Sequence, residues 1–233
     1  MNFQRVLLFF LWSPGMIFSQ LTGAYELTEK SEPGEVTVLI ISENYMAAAI
    51  YHSQSHDFIR TYGGAYRASG DQLVLNVEFD TRDSNKIGKD IIYSYIMKGQ
   101  DLMLEHTDKV IWKKMVEPVT PLAGCWRITD RLGQDGNLSA MPQGDRKTLK
   151  IMSGSRFQWF AINPKTKQFS GTGGGTYTLK DGVYTEKIEF FSRDKTRVGT
   201  ELSFEATIQG TKWNHKGKSS TGNPVNEIWT KQF

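Results

Sequence analysis

The chain has 233 residues, of which 39% are hydrophobic and 12% aromatic, with a single cysteine and a formal net charge of +3. This is enough apolar material for one large or two small folded domains, and it excludes a chain without a core. The weak positive charge gives no reason to expect a nucleic-acid partner, and one cysteine excludes an internal disulfide.

The first twenty residues have the layout of a secretory signal peptide. A short polar start with Arg5 precedes an apolar run over residues 6–12, which Pro14 and Gly15 interrupt. The run is too short to span a bilayer as a helix, so we expect no transmembrane segment. We therefore expect residues 1–20 to be a signal peptide, and the protein to be exported to the periplasm or the cell exterior.

From residue 21 onward the same pattern occurs twice, at an offset of about 111 residues. The motif GGAY at residues 63–66 falls on GGTY at 174–177, within a stretch that aligns without a gap. We expect two similar domains at residues 21–116 and 122–233. Residues 117–121 between them contain two prolines and predict a short, stiff linker.

Each copy has the period of β-strands. In copy one Leu73, Leu75, Val77 and Phe79 alternate with Val74, Asn76 and Glu78, which places one set inward and the other toward water. Turn residues recur between such segments, and about eight candidate strands can be placed in each copy. The sequence predicts an all-β protein in which the short antiparallel strands of each copy either stack as a sandwich or close as a barrel, and closure removes the exposed strand edges. Whether the barrels touch is left open.

Several motifs resemble phosphate-binding or metal-binding motifs but lack the neighbouring residues or the helix that such sites need. The glycine-rich segment 171–176 has no following Lys-Ser or helix, so it predicts a strand bulge rather than a phosphate loop. His52 and His56 lie near Asp57 at a spacing that suits a metal-binding helix, whereas the segment has strand and loop character. We expect no metal, no cofactor and no catalytic residue, and Cys125 is expected to be a buried, inert thiol.

The opening motif of each copy resembles the lipocalin and calycin families. Residues 122–126 read LAGCW and residues 21–25 read LTGAY, a variant of the Gly-x-Trp opening, and an aromatic residue lies on each last strand. The chain resembles a tandem pair of the lipocalin-like domains found in secreted bacterial proteins of unassigned function. The resemblance implies two tandem, up-and-down, eight-stranded barrels whose first and last strands pair. It also implies a tryptophan that plugs the closed end of the barrel and a ligand that enters at the other end.

The second copy differs from the first on one alternating face. Glu186 stands where copy one has Leu75, and Phe157 and Trp159 replace smaller residues. An inward carboxylate must find a partner or become protonated, and Trp213 and His215, which share one face, are the two candidates to approach it across the barrel. The predicted ligand-binding residues are Phe157, Trp159, Tyr177, Tyr184, Glu186, Phe190, Trp213 and His215.

These residues predict an exported, non-enzymatic protein that holds a small hydrophobic or amphipathic ligand in its second barrel. The alternative is an envelope interaction module with side-chain-filled barrels, whose binding surface would include the long loop 133–145. A third hypothesis is a calycin-related enzyme. The sequence identifies no protein partner.

Overall fold

The structure, a computed structural model, describes residues 21–27, 32–133 and 135–232. Within these ranges the chain forms seventeen β-strands and two short 3-10 helices, Ser84–Lys86 and Lys195–Arg197. None of the helices in the described ranges is long and apolar enough to cross a membrane. The predicted signal peptide, residues 1–20, lies outside the described residues.

The first eight strands close into an antiparallel barrel, barrel 1. Each strand pairs with the next one along the chain, and β1 also pairs with β8, where Tyr25 lies opposite Lys114. The strands are β1 (Gly23–Leu27), β2 (Glu35–Ile41), β3 (Tyr45–His52), β4 (Phe58–Ser69), β5 (Gln72–Asp80), β6 (Asp90–Lys98), β7 (Asp101–Glu105) and β8 (Lys109–Lys114).

A second eight-stranded barrel, barrel 2, follows in the same order. It closes because β9 pairs with both β11 and β17, while the short β10 adds to the end of β9. The prediction of two closed, eight-stranded antiparallel barrels is confirmed. The strands are β9 (Gly124–Leu132), β10 (Leu138–Ala140), β11 (Lys147–Met152), β12 (Arg156–Asn163), β13 (Gln168–Lys180), β14 (Val183–Phe191), β15 (Glu201–Gln209), β16 (Lys212–Lys218) and β17 (Pro224–Gln232).

The opening motifs seal one end of each barrel in the same way. The indole nitrogen of Trp126 donates a hydrogen bond to the carbonyl of Leu122 at 2.8 Å. The hydroxyl of Tyr25 donates to the carbonyl of Leu21 at 2.9 Å. Both aromatic side chains are fully buried. We call this the closed end of each barrel and the opposite end, where β9 ends and β17 begins, the open end.

A β-bulge interrupts the alternation of faces at the same place in both barrels. In β13 and β14 the register shifts between Gly174 and Gly175, so that Glu189 of β14 is an extra residue. The shift turns Phe190 away from the face of Ile188 and out of barrel 2. The expected inward alternation along β14 therefore ends at Ile188, and the glycine-rich segment forms a bulged strand, as predicted.

The outer faces of the two barrels pack together through an interbarrel cluster. Phe160 lies between Phe79 and Tyr45, with ring centroids 4.5 and 5.7 Å away. Because barrel 2 covers the outer face of β2, that strand is buried on both faces and has a continuous apolar run instead of an alternating one. The cluster consists of Ala24, Val38, Ile40, Tyr45, Ala47, Ala49, Tyr51, Phe79, Cys125, Leu149, Ile151, Phe160, Ile162 and Phe190.

Polar contacts accompany this interface. The side-chain amide of Gln158 donates to Thr61 at 2.8 Å across the interface and to Thr172 at 3.0 Å within barrel 2. Glu117, between the barrels, accepts hydrogen bonds from the backbone of Ala24 and of Ser155, both at 2.9 Å. The segment that joins the barrels is thus tied to both of them.

Candidate functional site

The interior of barrel 2 contains a floor of aromatic side chains at its closed end. Trp213 lies at the centre of this aromatic floor, 5.8 Å from Trp126, 5.1 Å from Tyr184 and 6.2 Å from Trp229 between ring centroids. The rings meet mostly edge to face or tilted, which is the arrangement that aromatic quadrupoles favour. The floor closes this end of the barrel with apolar material.

A layer of polar residues lies above the aromatic floor. Glu186, His215 and Glu227 each follow or precede a floor residue by two positions on one strand, so each lies about 7 Å nearer the open end. Lys150 of β11 extends into the same layer, since its ammonium group contacts Glu186. We call Lys150, Glu186, His215 and Glu227 the polar layer.

Lys150 is buried at the centre of the barrel, with 3% of its surface exposed. Its ammonium nitrogen lies 3.3 Å from Oε2 of Glu186, which also accepts a hydrogen bond from Tyr184 at 2.9 Å. The same nitrogen lies over four aromatic rings at 5.2 to 5.4 Å from their centroids. A carboxylate and several aromatic faces thus replace the water that a lysine normally needs.

Glu186 faces the interior, as predicted, but its ion-pair partner is Lys150 and not His215. The sequence interpretation missed Lys150 although the repeat carries a signal for it. At the offset of 111 residues Lys150 falls on Leu39 and Glu186 falls on Leu75. Two interior leucines of barrel 1 are therefore replaced together by two opposite charges in barrel 2.

His215 and Glu227 form the other half of the polar layer. Nδ1 of His215 lies 3.6 Å from Oε2 of Glu227, beyond hydrogen-bond distance, while Trp229 donates to that oxygen at 3.2 Å. Burial lowers the pKa of His215, so its imidazole is neutral at neutral pH. Arg131, largely exposed at the open end, lies 3.8 Å from the other oxygen of Glu227.

Three buried polar atoms of this region have no hydrogen-bond partner among the described residues. They are Nε1 of Trp213 and both ring nitrogens of His215. Buried donors and acceptors are paired in the great majority of cases, because an unpaired one costs free energy. Each of these three atoms therefore has an unused hydrogen-bonding capacity inside barrel 2.

The open end of barrel 2 has an apolar rim of half-buried side chains: Trp159, Phe191, Leu202 and Val225. Trp159 packs edge to face on Phe191, 5.5 Å between centroids, and lies over Gly173, where a Cβ atom would come within 2.8 Å of the indole nitrogen. The rim therefore depends on a glycine at this position of β13.

The corresponding end of barrel 1 is covered by an ion pair instead of an apolar rim. The guanidinium of Arg60 pairs with Asp80 at 2.6 Å and lies 4.8 Å from the ring centroid of Tyr62. At the offset of 111 residues, Asp80 of barrel 1 corresponds to Phe191 of barrel 2, and Tyr62 corresponds to Gly173. An ion pair therefore covers the interior of barrel 1, whereas barrel 2 presents an apolar opening.

Of the predicted site residues, five surround Lys150 or adjoin it: Phe157, Tyr184, Glu186, Trp213 and His215. Trp159 lies in the apolar rim, and Tyr177 lies nearer the closed end, where its hydroxyl donates to the carbonyl of Ser153 at 2.6 Å. Phe190 does not join them. The bulge in β14 places it in the interbarrel cluster, stacked on Tyr51 at 4.9 Å.

The other motifs singled out in the sequence have structural contacts. Nδ1 of His52 accepts the backbone N–H of Ser55 at 3.1 Å within a turn, and Asp57 pairs with Lys195 of barrel 2 at 2.9 Å. Cys125 lies in the interbarrel cluster, where burial raises the pKa of its thiol to about 12. These residues thus support a turn and the contact between barrels.

Two cavities lie outside the barrel interiors. One of about 880 Å³ lies beside the segment between the barrels and is lined by Lys114, Glu117 and Lys231 among others. Another of about 330 Å³ lies between β9, β11 and the segment before β11. Neither is lined by a residue of the polar layer, which is closely packed, since His215 and Phe204 are 3.9 Å apart between centroids.

Comparison with known proteins adds a family match for barrel 2. Residues 121–232 match the family model described as a domain of unknown function, DUF4488. A solved lipocalin-like protein from Bacteroides uniformis ATCC 8492 shares 15% identity, with a TM-score of 0.34, over 48% of this chain and 98% of that chain. No curated protein matches the chain. Barrel 2 is thus similar to a domain family of unknown function, and the chain is a tandem pair of eight-stranded antiparallel barrels.

Proposed function

We propose that this protein is an exported, non-enzymatic binding protein that holds a small, partly apolar ligand in the open half of barrel 2. The observation that carries the proposal is the group of unpaired, buried nitrogens of Trp213 and His215. They lie beneath an apolar rim, and a mainly apolar site with a few convergent polar groups is typical of small-molecule binding. Export is supported by the pattern of residues 1–20.

The comparison of the two barrels supports a role for the polar layer beyond stability. The positions of Lys150, Glu186 and His215 are occupied in barrel 1 by Leu39, Leu75 and Leu104. The same fold thus closes with leucine at all three positions. Buried ion pairs are often less stabilising than apolar residues of similar volume. The polar layer is therefore expected to lower the stability of barrel 2, and a role in binding would explain its presence.

The polar layer also supports binding rather than catalysis. Lys150 and Glu186 pair with each other, and the hydroxyl of Tyr184 donates to the same carboxylate. The two charged groups are therefore engaged with each other and with the barrel wall, and they are suited to orienting a polar group.

The test is thermal unfolding of the full chain with a panel of lipids, bile acids and aromatic compounds. We expect at least one compound to raise the unfolding temperature, since a ligand at a hundred times its Kd adds about 2.7 kcal/mol. That corresponds to about 5–10 °C for a chain of this size. Lys150→Leu combined with Glu186→Leu, which installs the residues of barrel 1, is expected to reduce the shift.

The matched control is Leu39→Met combined with Leu75→Met, which changes the equivalent positions of barrel 1. It is expected to leave the ligand-induced shift unchanged. A panel in which no compound stabilises the protein would remove the proposal. An equal shift in the double leucine variant would place the ligand elsewhere.

A second candidate function, an envelope interaction module with filled barrels, is favoured by the close packing of the polar layer around His215. In that case the loop 133–145 would carry the function, and the interior would admit no ligand. The same panel separates the two functions, because a purely interacting module shows no ligand-induced shift.

A further inference from the structure

The charges inside barrel 2 are balanced without a ligand. Lys150 pairs with Glu186, and Glu227 lies near Arg131 at the open end. A carboxylate or an ammonium group that entered this interior would bring a charge with no free counter-charge among these four residues. Burying an uncompensated charge is strongly unfavourable, so a charged head group is disfavoured here.

To pair with the three unpaired atoms, a ligand must supply both a hydrogen-bond donor and a hydrogen-bond acceptor. Nε1 of Trp213 only donates. The imidazole of His215 is neutral because burial lowers its pKa, so one ring nitrogen donates and the other accepts. The two rings pack against each other, 5.2 Å apart between centroids, so their unpaired nitrogens belong to one small region of the interior.

We infer that the ligand carries an uncharged head group that both donates and accepts hydrogen bonds, as an alcohol or a primary amide does, on an apolar body. This inference rests on the proposed function. The head group would bind beside Trp213 and His215, and the apolar body would extend past Phe204 toward the rim at Trp159.

The experiment compares compounds that share one apolar chain and differ in the head group. Lauryl alcohol, lauramide, lauric acid and laurylamine are titrated into the full chain below their aggregation limits. The readout is the fluorescence of the tryptophans, of which Trp126, Trp159, Trp213 and Trp229 belong to barrel 2. We expect the alcohol and the amide to bind at least about tenfold tighter than the acid and the amine.

A variant identifies the contact. His215→Leu installs the residue that barrel 1 has at this position, Leu104. In the wild type, the alcohol is expected to bind tighter than its methyl ether, which cannot donate a hydrogen bond, and in the variant the two should bind alike. His215→Phe serves as a second variant, with folding checked by circular dichroism. Leu104→Met in barrel 1 is the control and should preserve the preference.

The outcomes distinguish the inference from the proposed function. Tighter binding of the acid or the amine would overturn the head-group inference and leave the proposed function standing. An undiminished preference for the alcohol over the ether in both His215 variants would overturn the assigned contact. Binding by none of the lauryl compounds would overturn the inference, while the broader panel decides on the proposed function separately.

Discussion

The replacement of two leucines by Lys150 and Glu186 is the main difference between the interiors of the barrels at the scale of single residues. Each charge is tolerated because the other lies 3.3 Å away and because aromatic rings surround the ammonium group. Removing one partner leaves the other buried without compensation. The pair is therefore expected to behave as a unit.

This coupling predicts a strongly non-additive mutant cycle. Lys150→Leu alone and Glu186→Leu alone are each expected to lower the free energy of unfolding by about 3–5 kcal/mol. The double variant is expected to regain most of this loss, because barrel 1 closes with Leu39 and Leu75 at these positions. Urea denaturation of the four proteins measures the cycle. Additive losses would mean that the two residues are not coupled.

The inward carboxylate was predictable from the alternation of β14, but its partner was not. Lys150 lies 36 residues away in sequence, on a strand that is not a neighbour of β14 in the barrel. Which residues meet across a barrel depends on how closure staggers all the strands along the barrel axis. The local periodicity of a single strand carries no information about that stagger. The repeat alignment, which shows both leucine replacements, is the signal that could have identified the pair.

At the scale of elements, the bulged strand pairs decide which side chains face inward. In barrel 1 the register of β4 and β5 shifts between Gly63 and Gly64. A Cβ atom at Gly64 would lie 1.9 Å from the carbonyl oxygen of Asn76, so only glycine allows the strands to approach this closely. The shift also turns Phe79 from the interior to the interbarrel cluster.

Gly64→Ala is therefore expected to lower the free energy of unfolding by more than about 2 kcal/mol, because the strands must separate locally. Gly144→Ala is the matched control, since a Cβ atom there meets nothing within 4 Å. The control is expected to change the free energy by less than about 0.5 kcal/mol. Chemical denaturation measures both, and equal effects would contradict the steric argument.

At the scale of the whole molecule, the two barrels share an apolar interface in addition to their separate interiors. Phe160 of barrel 2 stacks against Phe79 and Tyr45 of barrel 1. The hydroxyl of Tyr51 donates to Glu189 across the interface at 2.6 Å. These contacts couple the stability of one barrel to that of the other.

We expect the wild-type protein to unfold in a single calorimetric transition. Phe160→Ala is expected to lower the free energy of unfolding by about 3–5 kcal/mol and to separate the transition into two. Ile59→Ala is the control, because Ile59 is 49% exposed on β4 and contributes no side chain to the cluster. An unshifted single transition in Phe160→Ala would show that the barrels do not depend on this contact.

The sequence by itself determined the all-β class and the tandem repeat, because alternation and turn residues are local or repeated signals, and the family resemblance of the opening motifs implied that each copy closes. It also indicated the inward direction of Glu186 and the bulge at the glycine-rich segment. The tertiary structure decided that Lys150 is the partner of Glu186, that Phe190 faces barrel 1, and that the barrels pack together. Each of these depends on distances between segments that are far apart in the chain. Strand closure and packing between the barrels set those distances, and no local sequence pattern encodes them.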